Sequence, residues 1–278
     1  MKVRFWGTRG SFAMSGRNFL RYGGNTTCIE VLDNHGGRIV IDLGTGATEL
    51  AKQLMKGDLG KGKGRLNVLL SHTHLDHIQG LPFFTPFFVP GNRIRILGAD
   101  PSGATLEATI QNQLAPCYSP LEGLENLAAD VTIDSIAQGA AFELDGFDIQ
   151  TLAVPHGNMW TTAFRIAADG HVITFLSDVE YPQPEAPMPE AIALATGADL
   201  LIHDAMHADH EYAVRRGWGH SPVAAAQAVA LAAGAKRLVL FHHSPDATDA
   251  MIDAMVAAAQ QESAIPVFAA AEGAYLEL

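Results

Sequence analysis

Short apolar runs alternate with segments of helical spacing along the whole chain. Strands are predicted at Lys2–Trp6, Thr27–Leu32, Arg38–Asp42, Leu66–Leu70, Arg93–Leu97, Ile149–Val154, Val172–Leu176 and Arg237–Phe241. Ala47, Leu50, Ala51 and Leu54 recur at helical spacing just after Gly44-Thr45-Gly46. The best-marked helix covers Pro222 to Ala233, with Ser221 as the expected cap, Pro222 as the first helical residue and Gly234 as the stop. A further helix is expected over Met251–Gln261, and Pro266 opens a last extended segment. The two kinds of segment interleave without a composition break, a repeat or a linker, which predicts one α/β domain over residues 1–278.

Composition narrows the choice of function. Hydrophobic residues make up 48% of the 278 and charged residues 17%, enough for a substantial core, so disorder is excluded as the dominant state. The net charge of −12 repels a phosphate backbone and argues against nucleic acid as a partner. No run approaches the ~18 apolar residues of a membrane span, and Met1–Gly7 holds no apolar signal core, so no membrane is expected and the expected address is cytoplasmic. Two cysteines, Cys28 and Cys117, can build neither a disulfide framework nor a thiolate-rich zinc site. Gly44-Thr45-Gly46 lacks the third glycine of a dinucleotide fingerprint, because Glu49 stands there. The Gly- and Lys-rich stretch 56–65 also fails the frame of a phosphate loop.

The twelve histidines change the picture, because most of them cluster. Ser71-His72-Thr73-His74-Leu75-Asp76-His77 follows directly on the apolar run Leu66–Leu70. Alternation in an extended chain puts His72 and His74 on one side, and a turn into a helix lets Asp76 and His77 face the same cavity. Neutral imidazole and carboxylate are the donors a divalent first-row metal takes when no thiolate is offered. His156, Asp178 and His242 each stand just past a strand-like run. Any one of these alone reads as a capping or surface residue; together they repeat the placement of the 72–77 cluster, at the sheet edge that open α/β folds use for sites. His243 beside His242 is the alternative for the last position.

The His72–His77 stretch resembles the His-x-His-x-Asp-His signature of the metallo-β-lactamase superfamily, and Asp42, His156, Asp178 and His242 match its successive motifs in order. The resemblance covers nearly the whole chain. It implies a four-layer αββα sandwich with a binuclear site at one rim, usually zinc, although such donors also accept manganese or iron. One metal would take His72, His74 and His156, the second Asp76, His77 and His242, with Asp178 between them and Asp42 orienting the cluster. Ile202-His203-Asp204-Ala205 and Gly219-His220-Ser221 are similar to two motifs of the phosphodiesterase branch, in which the carboxylate, here Asp204, orients the imidazole, here His220. An oriented imidazole is what proton transfer to a leaving group needs. The plain alternative is that His220 stabilises a loop beside the helix start.

The expected activity is therefore hydrolysis of a small or cyclic phosphodiester by a metal-shared hydroxide, with Asp76, Asp204 and His220 as catalytic residues. Two departures bear on the substrate. Pro222 stands where the RNA-processing relatives usually carry Thr, and only 22 positions separate His156 from Asp178, which leaves no room for the long tRNA-clamping arm of the tRNA 3′-end endonucleases. An armless endonuclease, or a thioesterase or lactonase on the same ligands, is the rival hydrolase. An iron redox protein fits poorly, since its relatives typically carry Glu at the position of His74. Arg9 reads equally as a phosphate contact or a surface charge, and Asn25 as a substrate contact or a turn residue. His207 and His210 are expected at the surface. The Phe- and Pro-rich stretch 81–90 reads as a pocket wall, a homodimer contact or plain core.

Overall fold

The two faces of each sheet set the architecture. A computed structural model describes all 278 residues. The first sheet is built from β1 (Lys2–Gly7), β2 (Cys28–Leu32), β3 (Arg38–Ile41), β4 (Arg65–Leu70), β5 (Arg93–Gly98) and β6 (Asp130–Ser135). The second holds β7 (Ala141–Leu144), β8 (Phe147–His156), β9 (Met159–Ala168), β10 (His171–Leu176), β11 (Leu200–Asp204), β12 (Leu238–Phe241) and β13 (Val267–Ala269). The last strand, β14 (Tyr275–Glu277), returns to pair with β1 in the first sheet. The strand orders are β14-β1-β2-β3-β4-β5-β6 and β13-β12-β11-β10-β9-β8-β7. Each sheet is antiparallel through β3 or β10 and parallel beyond it.

Side chains from the two inner faces, among them Phe5, Ile29, Ile41, Phe164, Phe175 and Phe241, form one buried cluster between the sheets. The outer face of the first sheet is covered by α1 (Ala47–Leu54) and α3 (Leu106–Gln113), through Leu50, Leu54, Leu106 and Ile110. The outer face of the second carries α4 (Pro189–Ala195), α6 (Val223–Ala233) and α7 (Asp249–Glu262). The result is the four-layer αββα sandwich. A short helix, α2 (Leu75–Ile78), and α5 (Asp209–Arg215) lie in loops after β4 and β11.

Strands buried on both faces have near-continuous apolar sequence, and that is why β4, β10 and β12 stand out in the chain. Two local expectations change. The best-marked helix begins at Val223, with Pro222 extended at the cap position, and Ser221 does not cap it; its hydroxyl donates to the Val179 carbonyl at 2.6 Å. Gly234 does close the helix, in the left-handed conformation. The stretch 81–90 divides: Phe84 and Phe87 are buried against α1, edge to face at 5.1 Å, while Phe83 is exposed.

The inter-sheet layer holds the two strand sets in register, and Phe164 is fully buried in its middle. Phe164→Ala is expected to lower the unfolding free energy by ~3–5 kcal/mol, seen as a lower urea midpoint at unchanged slope. A loss below ~1 kcal/mol would mean that this layer does not bear the packing assigned to it.

Candidate metal centre and its acid-base pair

Six strands deliver the site from their carboxyl ends. Asp42 follows β3, His72 follows β4, His156 ends β8, Asp178 follows β10, Asp204 ends β11 and His242 follows β12. Asp42, Asp178 and His242 all adopt positive φ, at 60°, 55° and 61°. Asp and His tolerate this region better than most residues, and at a strand end it turns the side chain sharply toward the rim. From β4 the chain stays extended to His74 and then enters α2, which presents Asp76 and His77.

The seven predicted ligands converge. His72, His74 and His156 place ligand atoms within 4.8 Å of one another, and so do Asp76, His77, Asp178 and His242. Asp178 lies between the sets. Its Oδ1 is 3.1 Å from His242 Nε2 and 3.9 Å from both His72 Nε2 and His156 Nε2, and its Oδ2 is 3.3 Å from His77 Nε2. Asp76 Oδ2 is 3.2 Å from the Nε2 atoms of both His77 and His242. All seven are buried except His74, which is exposed.

Protein groups hold the outer nitrogens of His77 and His156, whereas His242 Nδ1 is buried without a hydrogen-bond partner. His77 Nδ1 bonds Asp42 Oδ2 at 2.7 Å, and the other Asp42 oxygen accepts the Ser71 N–H at 2.8 Å. His156 Nδ1 donates to the Gly219 carbonyl at 2.6 Å. Such bonds fix which ring nitrogen turns its lone pair inward. Gly219 is itself clamped: Glu180 Oε2 accepts the Gly219 N–H at 2.7 Å, while its Oε1 accepts Gly217 N–H at 2.6 Å and the Tyr212 hydroxyl at 2.9 Å. Gly219 has φ 92°, and a Cβ there would stand 2.4 Å from His156 Nδ1. On the other side, Ser11 N–H donates to Asp76 Oδ2 at 2.7 Å, and a Cβ on Gly10 would stand 2.2 Å from His242 Nδ1.

This donor set fits a divalent cation. His72 Nε2 and His77 Nε2 are buried and have no hydrogen-bond partner, a costly arrangement unless something else takes their lone pairs. Burial lowers the pKa of His72, His74 and His156, which favours the neutral ring that coordinates. Burial opposes charge on His77 as well, but Asp178, Asp76 and Asp42 outweigh it and raise its pKa. Burial likewise opposes the Asp178 carboxylate, yet His242, His77 and His72 hold it well below the usual range.

Beside the cluster, Asp204 Oδ2 holds His220 Nδ1 at 2.8 Å, and Asp204 Oδ1 accepts the N–H groups of Met206 at 3.0 Å and Ser221 at 3.3 Å. The His220 ring stacks on His242 with centroids 4.9 Å apart and meets His156 edge to face at 4.9 Å. Burial works against a charged His220, but the Asp204 carboxylate, with Asp178 and Asp76 behind it, pushes its pKa up to about 9.

His242, the expected last ligand, faces the cluster, whereas His243 Nε2 bonds the Ala270 carbonyl at 2.9 Å and burial pushes its pKa down to about 4. Three other expectations change. Arg9 is neither a surface charge nor aimed at the cluster. It is fully buried; its Nε donates to the Gly23 carbonyl at 2.8 Å and its Nη1 to the carbonyls of Ala247 at 2.6 Å and Ser244 at 2.9 Å. The Asn25 amide is engaged by Glu272 Oε2 at 2.9 Å, so its partner is protein. His207 is buried, whereas His210 is exposed. Sequence reasoning passed over Ser71, Glu180, Gly219 and the Ser11 N–H, which hold the ligands through hydrogen bonds between distant segments; only the glycine at 219, beside His220, left a local trace.

Comparison with known proteins agrees with this geometry. A family model described as a beta-lactamase superfamily domain matches residues 37–243, and the chain belongs to that superfamily. It is a metal-dependent hydrolase of the metallo-β-lactamase fold. It is 28% identical over 253 residues to Ribonuclease Z of Halorubrum lacusprofundi, covering 77% of this chain and 79% of that one. In structure it is similar to the metallo-beta-lactamase fold protein YhfI of Bacillus subtilis, with a TM-score of 0.74 at 19% identity over 100% of this chain and 98% of that one. It is also similar to a diphosphatase of the PhnP family, with a TM-score of 0.69 at 18% identity over 100% and 97%. No helix is long and apolar enough to cross a membrane.

Asp42→Ala removes the partner of His77 Nδ1 and is expected to weaken metal binding ~10–100-fold, read by competition with a chelating dye. Gly219→Ala should displace His156 and weaken binding in the same assay, by about tenfold or more. Unchanged affinity in both variants would detach these hydrogen bonds from metal binding.

Proposed function

We propose that the protein is a phosphodiesterase for small or cyclic phosphodiesters, with two divalent ions, zinc foremost, at the rim of the sandwich. His72, His74 and His156 would hold one ion and Asp76, His77 and His242 the other, with Asp178 shared. When bound, the ions supply Lewis acidity, neutralising charge that develops on a phosphoryl group and lowering the pKa of water. Asp42, Gly219 and Ser11 keep the ligand atoms directed inward, so little reorganisation accompanies binding.

The observation that carries the reading is the 2.8 Å bond from Asp204 to His220 beside both ligand sets. Asp204 keeps the proton on Nδ1 and favours the imidazolium. Nε2 then carries a second proton, which passes to the leaving oxygen as the phosphorus–oxygen bond breaks and water supplies the new one. The catalysed step needs an acid because the departing alkoxide is a poor leaving group. Asp204 acts through His220, and the two together form the acid.

A ribonuclease reading is favoured by the relatives named Ribonuclease Z. Against it stand the net charge of −12 and the shape of the chain between His156 and Asp178. That stretch is filled by β9 and β10, joined by a two-residue Asp169-Gly170 turn, with no projecting arm.

His220→Ala is expected to lower kcat for a cyclic nucleotide, a diester whose leaving group is an alkoxide, by ~10²–10⁴ with metal content unchanged. The same preparation assayed on a precursor tRNA, a thioester and a lactone ranks the rivals. Absent diester turnover in metal-loaded wild type, or turnover indifferent to the substitution, would sink the phosphodiesterase reading.

A further inference from the structure

Away from the metal cluster, α5, α6 and α7 enclose a cavity of about 570 Å³, within the size range of small-molecule sites. Its apolar wall is supplied by Met206, Val223, Met251 and Met255, and methionine adapts to ligands of varied shape. Its polar wall is unbalanced. Asp209, Glu211, Asp246 and Glu262 line it, against one guanidinium, that of Arg215. Arg215 lies 3.9 Å from Asp246 and stacks over Trp218 at 4.7 Å, so one carboxylate is already matched. One Asp209 oxygen accepts the Ala224 N–H at 2.8 Å. Glu211, half-buried and one helical turn from Arg215, and Glu262 line the space without forming a salt bridge.

A second, independent feature marks the same wall. His207 is only 4% exposed, and its Nε2 is buried without any hydrogen-bond partner. A buried ring nitrogen of this kind is costly unless a ligand or water meets it. Burial lowers the pKa of His207, so the ring is neutral and can present a lone pair to a donor.

We propose that this cavity binds a small amphipathic amine. The apolar body would lie on the methionines, and the ammonium would donate to the His207 imidazole and to the Glu211 carboxylate. A carboxylate ligand of the same shape would meet the acidic wall and be rejected. The site is distinct from the metal centre but shares a wall with it. His207 and His220 rings are 6.1 Å apart, and Met206 Cε and His242 Nδ1 both lie against Gly10. The inference does not depend on the phosphodiester reading.

The probes are n-octylamine and octanoate, titrated calorimetrically below micelle-forming concentrations into the full-length, metal-loaded protein. Ala258 lies on α7 at the mouth of the cavity and is exposed, so Ala258→Trp adds bulk to the cavity without crowding the core. Glu211→Gln removes one charge with little change of shape. Saturable binding of n-octylamine is expected, weakened about tenfold or more in each variant, with octanoate unbound. No saturable binding of n-octylamine, or binding undiminished by Ala258→Trp, overturns the site. Equal binding of octanoate, or indifference to Glu211→Gln, overturns the assignment of an amine.

Discussion

Everything at the rim depends on one carboxylate standing between two sets of imidazoles. Asp178 reaches His72 and His156 with one oxygen and His77 with the other, and these residues come from both sheets. The contact exists only because the buried layer between the sheets fixes how the end of β10 sits against the end of β4. A slide of one sheet by a single residue would carry Asp178 a full 3.3 Å step along the strand, close to the whole length of these contacts. Packing of phenylalanine and isoleucine side chains in the middle layer is thus the mechanical basis of the electrostatics at the rim.

The centre would be unstable as bare protein chemistry. Buried imidazoles crowd one another, and buried carboxylates lack water. Hydrogen bonds accepted by Asp42 and the Gly219 carbonyl and donated by the Ser11 N–H resolve part of this by fixing orientation, but the inward nitrogens of His72 and His77 have no hydrogen-bond partner. A site arranged so is pre-organised for positive charge, at a cost in stability that binding offsets. The Asp204–His220 pair differs in kind. It is bonded internally, and the Asp204 carboxylate favours the charged imidazole, so in the proposed function it would donate a proton while its neighbours would hold the metal.

Much of this was legible in the chain. The apolar runs of β4, β10 and β12 marked buried strands, whereas Leu200–Asp204 was noticed for its His203-Asp204 motif and not as a strand; His72–His77 with His156, Asp178 and His242 marked the rim, because each follows a strand-like run. β9 and β6 were not evident, since Met159–Ala168 mixes small, polar and apolar residues and Asp130–Ser135 lies at a sheet edge. The Asp145-Gly146 and Asp169-Gly170 pairs, both with positive φ, were the turn signals that would have located the hairpins around β8 and β9. Arg9 misled because a guanidinium is seldom fully buried, and the three carbonyls that receive it are contributed by residues 23, 244 and 247. Links of that span leave no pattern in a linear sequence, and the Glu180 clamp is hidden for the same reason.

The left-handed backbone at Asp42, Asp178 and His242 restricts evolution at these positions in two separate ways. Chemistry asks for an oxygen or nitrogen donor, and the dihedral angle asks for a side chain unbranched at Cβ. Asparagine meets the second demand and only part of the first. Valine and isoleucine meet neither, and threonine offers a hydroxyl only on a branched Cβ, so each would strain the strand end and weaken the contact made there. A lineage drifting away from metal chemistry would therefore be expected to fill these three positions with asparagine or glycine, leaving the sandwich intact after its activity had gone.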